Sequence, residues 1–164
     1  MNARLPVPSL GLALSDLSDP ELERNTLGAA MLGEPMPTWL APAHFFNALH
    51  ARIYATIQAV GGALPLVAAR LREDGFLYTA AHGRDRHSRP GMLSSVDLAQ
   101  ICIEAKFARD YGWASDVKLL RELAAQRKHV ECMTRVAIQL RAGAIRVGEA
   151  RQALLAACDE GMAF

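Results

Sequence analysis

A chain of 164 residues with 51% hydrophobic and 21% charged residues is about one domain long and has enough apolar material for a packed core, which excludes disorder as its main state. Its 18 lysines and arginines against 17 aspartates and glutamates leave a formal charge of +1, so the basic excess of a dedicated nucleic-acid binder is missing and any DNA contact must be local. The three cysteines, Cys102, Cys132 and Cys158, stand far apart with no CxxC pair, a pattern of neither a disulfide framework nor a zinc site, and they point to a reducing cytoplasm.

Residues 1–17 are rich in Pro and Leu without helical period and read as a flexible, extended or disordered arm. Pro6 and Pro8 interrupt the apolar run and Ser15-Asp16 end it, too soon for a signal-peptide core. No window reaches the roughly 18 uninterrupted apolar residues of a membrane span, so a membrane location is not expected. The fold begins at Ser18-Asp19-Pro20-Glu21, where a Ser cap, a Pro in the first turn and a Glu three residues on open a helix. Leu22, Thr26, Ala29, Ala30 and Leu32 share its inner face, and Gly33, Pro35 and Pro37 end it. Pro42 opens a second helix with Phe45, Leu49, Ile53, Ile57 and Val60 inward, stopped by Gly61-Gly62. A third helix runs from Leu66 to Arg72, with Leu66, Val67 and Leu71 inward and Asp74-Gly75 at its end.

Tyr78 to Pro90 has no apolar period and many turn formers and cations, and reads as an exposed loop. Ser94 or Ser95 then caps a helix that turns Val96, Leu98, Ile101 and Cys102 inward, and Gly112 marks a joint. From Ser115 to Arg141 the chain has neither Gly nor Pro, about 40 Å of helix at 1.5 Å per residue. Its stripe of Val117, Leu120, Leu123, Val130, Met133, Val136, Ala137 and Leu140 needs a partner along most of its length. After Gly143, the residues Val147, Ala150, Leu154, Ala157 and Cys158 supply an answering helix, giving an antiparallel hairpin suited to self-association. No stretch alternates apolar and polar residues for long, so the expected fold is all-α. It divides into an arm (1–17), a compact globular helical subdomain (18–110) and a long helical hairpin (111–164).

No catalytic, cofactor or metal site is expected. The close glycine pairs, Gly28/Gly33 and Gly61/Gly62, do not precede the GK[ST] of a phosphate-binding loop. His44 and His50 are six apart with no Glu between them, unlike a zincin, and His50 beside the core face reads as a partly buried, hydrogen-bonded histidine. His129 and Glu131 point apart on a helix, Cys132 reads as a small core residue, and the serines look like helix caps rather than nucleophiles. Two charged features remain. Arg84, Arg86 and Arg89, with His82 and His87, form a loop that a phosphate or an acidic partner would suit, although a solvated loop tip is the more frequent outcome. Between Ala105 and Phe164, ten Lys and Arg against seven acids make the hairpin region basic by +3.

The run Glu21-Leu22-Glu23-Arg24-Asn25-Thr26-Leu27-Gly28-Ala29, then Leu40-Ala41-Pro42-Ala43-His44-Phe45-Phe46 and His50-Ala51-Arg52-Ile53-Tyr54-Ala55-Thr56-Ile57, resembles the N-terminal domain of the DnaB family of replicative DNA helicases. Leu71 to Gly75 resembles the family's Leu-x-x-x-Gly helix end, and Tyr111-Gly112-Trp113 before the long helix with Leu120 and Arg127 resembles its linker to a C-terminal hairpin. The resemblance is strongest over residues 20–77 and topological after about 115. It departs where the family has a Gly-Gly-x-x-Tyr-Leu segment and this chain has the Arg/His loop and Met92-Leu93-Ser94-Ser95. The family's motor domain is also missing from the chain, so no unwinding is expected of it alone.

The resemblance implies a non-catalytic replication module without cofactors, a homo-oligomer (a dimer or a ring of dimers) that binds a replicative helicase, primase or helicase loader. Val117, Leu120, Leu123, Val130, Met133, Val136, Leu140 and Leu154 are the candidate oligomer interface, and Arg84, Arg86 and Arg89 the candidate partner or phosphate contacts. Two rival readings are the N-terminal piece of a complete replicative helicase and a small DNA-binding regulator using the arginine loop and the basic hairpin.

Overall fold

A computed structural model describes residues 14–78, 92–108 and 113–162. They form six α-helices: α1 (Pro20–Met31), α2 (Ala48–Val60), α3 (Leu64–Glu73), α4 (Ser95–Ala108), α5 (Trp113–Arg141) and α6 (Val147–Met162). Short 3-10 turns lie at Leu14–Leu17 and Pro42–His44, and two-residue strands at β1 (Leu77–Tyr78) and β2 (Leu93–Ser94). The fold is mostly all-α, as the sequence predicts. The strand pair is an addition to that expectation: it is parallel, with Leu77 opposite Leu93 and Tyr78 opposite Ser94. Two residues per strand are too few to leave an alternating signature.

The helix boundaries follow from where backbone groups find partners. Asp19, not Ser18, caps α1, its carboxylate accepting from the Glu21 and Leu22 N–H groups at 3.0 Å. With Asp19 in that place, Pro20 occupies the first helical position, where its missing N–H costs nothing. Pro42 opens only the 3-10 turn Pro42–His44. The second helix starts at Ala48, where Asn47 Oδ1 accepts from Leu49 N–H at 2.9 Å and from His50 N–H at 3.4 Å. Ser94 caps α4 reciprocally with Asp97: its hydroxyl accepts from Asp97 N–H at 3.0 Å, and Asp97 Oδ2 accepts from Ser94 N–H at 3.2 Å. Three helices end alike, with Gly33, Gly75 and Gly143 at φ of 86°, 78° and 67°, the left-handed conformation that closes the last turn.

The chain divides into two compact units, one of Asp19–Ala125 and one of Met1–Ser18 with Gln126–Phe164. The sequence puts the boundary at 110; it falls inside α5 because Val117, Leu120 and Ala124 are buried and the first turns of α5 belong to the larger unit. The core of that unit is aliphatic, built on Leu22 and Leu27 of α1, Ile53 of α2, Val67 and Leu71 of α3, Leu98 and Ile101 of α4, and Val117 and Leu120 of α5. Helices α1 and α4 approach so closely that a Cβ at Gly28 would collide with the Ala105 Cβ and the Ile101 carbonyl oxygen. Arg24 of α1 pairs with Glu104 of α4 at 2.8 Å at the edge of this contact.

Within the larger unit, side-chain direction departs from the sequence reading at four positions. Leu66 and Val96 are 53% and 62% exposed rather than inward. Leu49 is half-buried while its neighbour His50 takes the core-facing place, and Leu32 is the exposed C-cap of α1. At Leu49 and Leu66 the next residue along takes the buried place, a phase difference of one residue or 100° around the helix.

In the smaller unit, Leu14–Leu17 is a 3-10 turn rather than an extended arm, and the buried Arg127 guanidinium donates to Leu17 O at 2.8 Å. Residues 1–13 and the loop with Arg84, Arg86 and Arg89 lie outside the described residues. Among the described residues no single helix is long and apolar enough to cross a membrane. Helices α2 and α3 pass such a test only when joined across a 113° bend, and their Ile53, Tyr54, Ile57, Val67 and Leu71 are core residues.

Candidate functional site

The sequence motifs that suggested a family converge on one polar node in the larger unit. Glu23, 1% exposed, sits on the face of α1 turned toward the start of α2. Its Oε1 accepts from Phe46 N–H at 2.5 Å and its Oε2 from Asn47 N–H at 3.2 Å. The same Oε2 lies 2.7 Å from His50 Nδ1. The short contact joins the His50 ring to the same carboxylate that holds the two backbone N–H groups. Glu23 therefore closes the N-terminus of α2, where free N–H groups and the helix dipole favour a negative charge, and joins two helices 23 to 27 residues apart in sequence. The expected hydrogen-bonded histidine is there, and its partner is a carboxylate that the sequence reading did not single out. The visible signal was a Glu at a core-facing position of α1 next to Leu22.

Around this node the aromatic residues are held by packing. Phe45 and Tyr54 rings stack at 5.1 Å between centroids. Ala41 N–H donates to His44 Nδ1 at 2.9 Å, which ties the 3-10 turn to itself. Trp39 meets the His44 ring edge-on at 6.0 Å and lies under the Arg121 guanidinium at 4.8 Å. Burial raises the Tyr54 hydroxyl and the Cys102 thiol above their ordinary pKa values, which favours their neutral forms. Among the described residues no group of three or more His, Cys, Asp or Glu is placed to hold a metal ion. An open cleft of about 400 Å³ lies between the end of α1, the segment around Met36 and Pro37, and the α2 residues Tyr54, Ile57 and Gln58.

The candidate interface residues fall into three groups. Val117 and Leu120 are 1% and 0% exposed, and Leu123 packs against the same core, so the expectation that they face a partner is replaced by a role inside the larger unit. Val136, 4% exposed, is spent in the same way inside the smaller unit. Val130, Met133 and Leu154 are half-buried, and Leu140 is 37% exposed. The sequence showed the stripe but not what covers it, since a neighbour distant in the chain leaves no mark on helical spacing.

Three aliphatic side chains that sequence reasoning missed or turned inward are the most exposed large aliphatics among the described residues of the smaller unit: Ile138 at 63%, Val147 at 77% and Leu155 at 55%. Ile138 offered a signal, an aliphatic residue outside the α5 stripe. They are interspersed with the exposed cations Arg135, Arg141, Arg146 and Arg151. Glu149 is engaged locally, its carboxylate accepting from Arg146 N–H at 2.8 Å across the start of α6. Neither a family model, nor a curated protein, nor a solved structure matches this chain.

Proposed function

We propose that this chain is a non-catalytic protein-interaction module of DNA replication, acting in the cytoplasm and resembling the N-terminal collar domain of DnaB-family helicases. In this reading α5 and α6 pair as an antiparallel hairpin through which copies associate as a dimer or a ring of dimers, and the assembly binds a replicative helicase, primase or helicase loader. The observation that carries it is the set of exposed aliphatic residues of the smaller unit, Ile138, Leu140, Val147 and Leu155. Apolar burial is worth about 25 cal/mol per Å², so side chains of this size left in water favour association.

Two features support the hairpin. Gly143 at φ 67° ends α5, with Ala144 N–H donating to Gln139 O at 2.9 Å, so the chain leaves the helix in a tight turn and five residues, 142–146, separate α5 from α6. Cys132 Sγ lies 3.9 Å from Ala153 O, a pairing centred on that turn, as antiparallel helices require.

The test is co-elution. The purified full chain, mixed with the host's replicative helicase and separately with its primase, should elute in a complex with one of them at physiological ionic strength. Elution independent of both, with the helicase intact as a hexamer, contradicts the reading.

A further inference from the structure

We draw no further inference here: the strongest candidate, the exposed aliphatic face of α6 and the end of α5 formed by Ile138, Val147 and Leu155, is unpartnered, and nothing in the structure shows what covers it.

Discussion

Glu23 gathers three groups on one carboxylate: the Phe46 and Asn47 N–H groups and His50 Nδ1. In Glu23→Gln an amide NH₂ would face at least one of these part-buried or buried groups, costing about 1–3 kcal/mol, read as a lower urea midpoint. An unchanged midpoint would mean that the node contributes nothing. Gly28 makes a complementary case. Gly28→Ala forces a methyl group into Ala105 and the Ile101 carbonyl and should cost about 3 kcal/mol, whereas Gly148→Ala on α6, where the added carbon meets open space, should stabilise by about 0.5 kcal/mol. Equal effects of the two substitutions would refute the close approach of α1 and α4.

Asp116 is strained in another sense. Its pKa is raised, first by burial and then by the negative charges of Asp19 and Glu21, while a hydrogen bond from Asn25 opposes the shift. The folded state thus holds the Asp116 proton more tightly than the unfolded chain does. Between the two pKa values the native state binds more protons, so this residue costs stability at neutral pH, and the cost is relieved as pH falls through the raised value towards the ordinary carboxylate range. Asp116→Asn should therefore raise the melting temperature at pH 7 and lose that advantage at pH 4. A gain that grows on acidification would reverse the assigned sign.

At the scale of elements, caps decide where helices begin. The choice of Asp19 over Ser18, and of Asn47 over Pro42, comes from which side chain can reach N–H groups two and three residues ahead. Asn47→Ala should cost about 1 kcal/mol by thermal or urea unfolding, while Pro42→Ala, which only opens a 3-10 turn, should cost less. The reverse order would restore a helix starting at Pro42. Most elements were legible because α1, α2, α3 and α5 carry 3.6-residue periodicity between glycine and proline stops. What sequence did not reveal depends on distant partners. Glu23 of α1 holds the Phe46 and Asn47 N–H groups just ahead of α2, and the β1–β2 pair forms where the segments after α3 and before α4 meet side by side. The inward and outward faces were exchanged at Leu66, where a phase error of one residue near a helix start puts Val67 in the core instead.

For the whole molecule, the sequence reading of a globular subdomain followed by a hairpin becomes two units that divide α5 between them. Residues Val117 and Leu120 could not be separated from Leu140 on the sequence, because all three belong to one apolar series. The structure spends the first two in a core and leaves the third 37% exposed. Self-association through the exposed part of α5 and α6 is the central claim, and multi-angle light scattering of the purified full chain tests it most directly. The account predicts a discrete oligomer for the native sequence and a monomer for the double substitution Leu140→Asp, Leu155→Asp, with circular dichroism showing the helices retained. A native chain that is monomeric across the micromolar range, or a double variant that keeps the oligomer's mass, would contradict it.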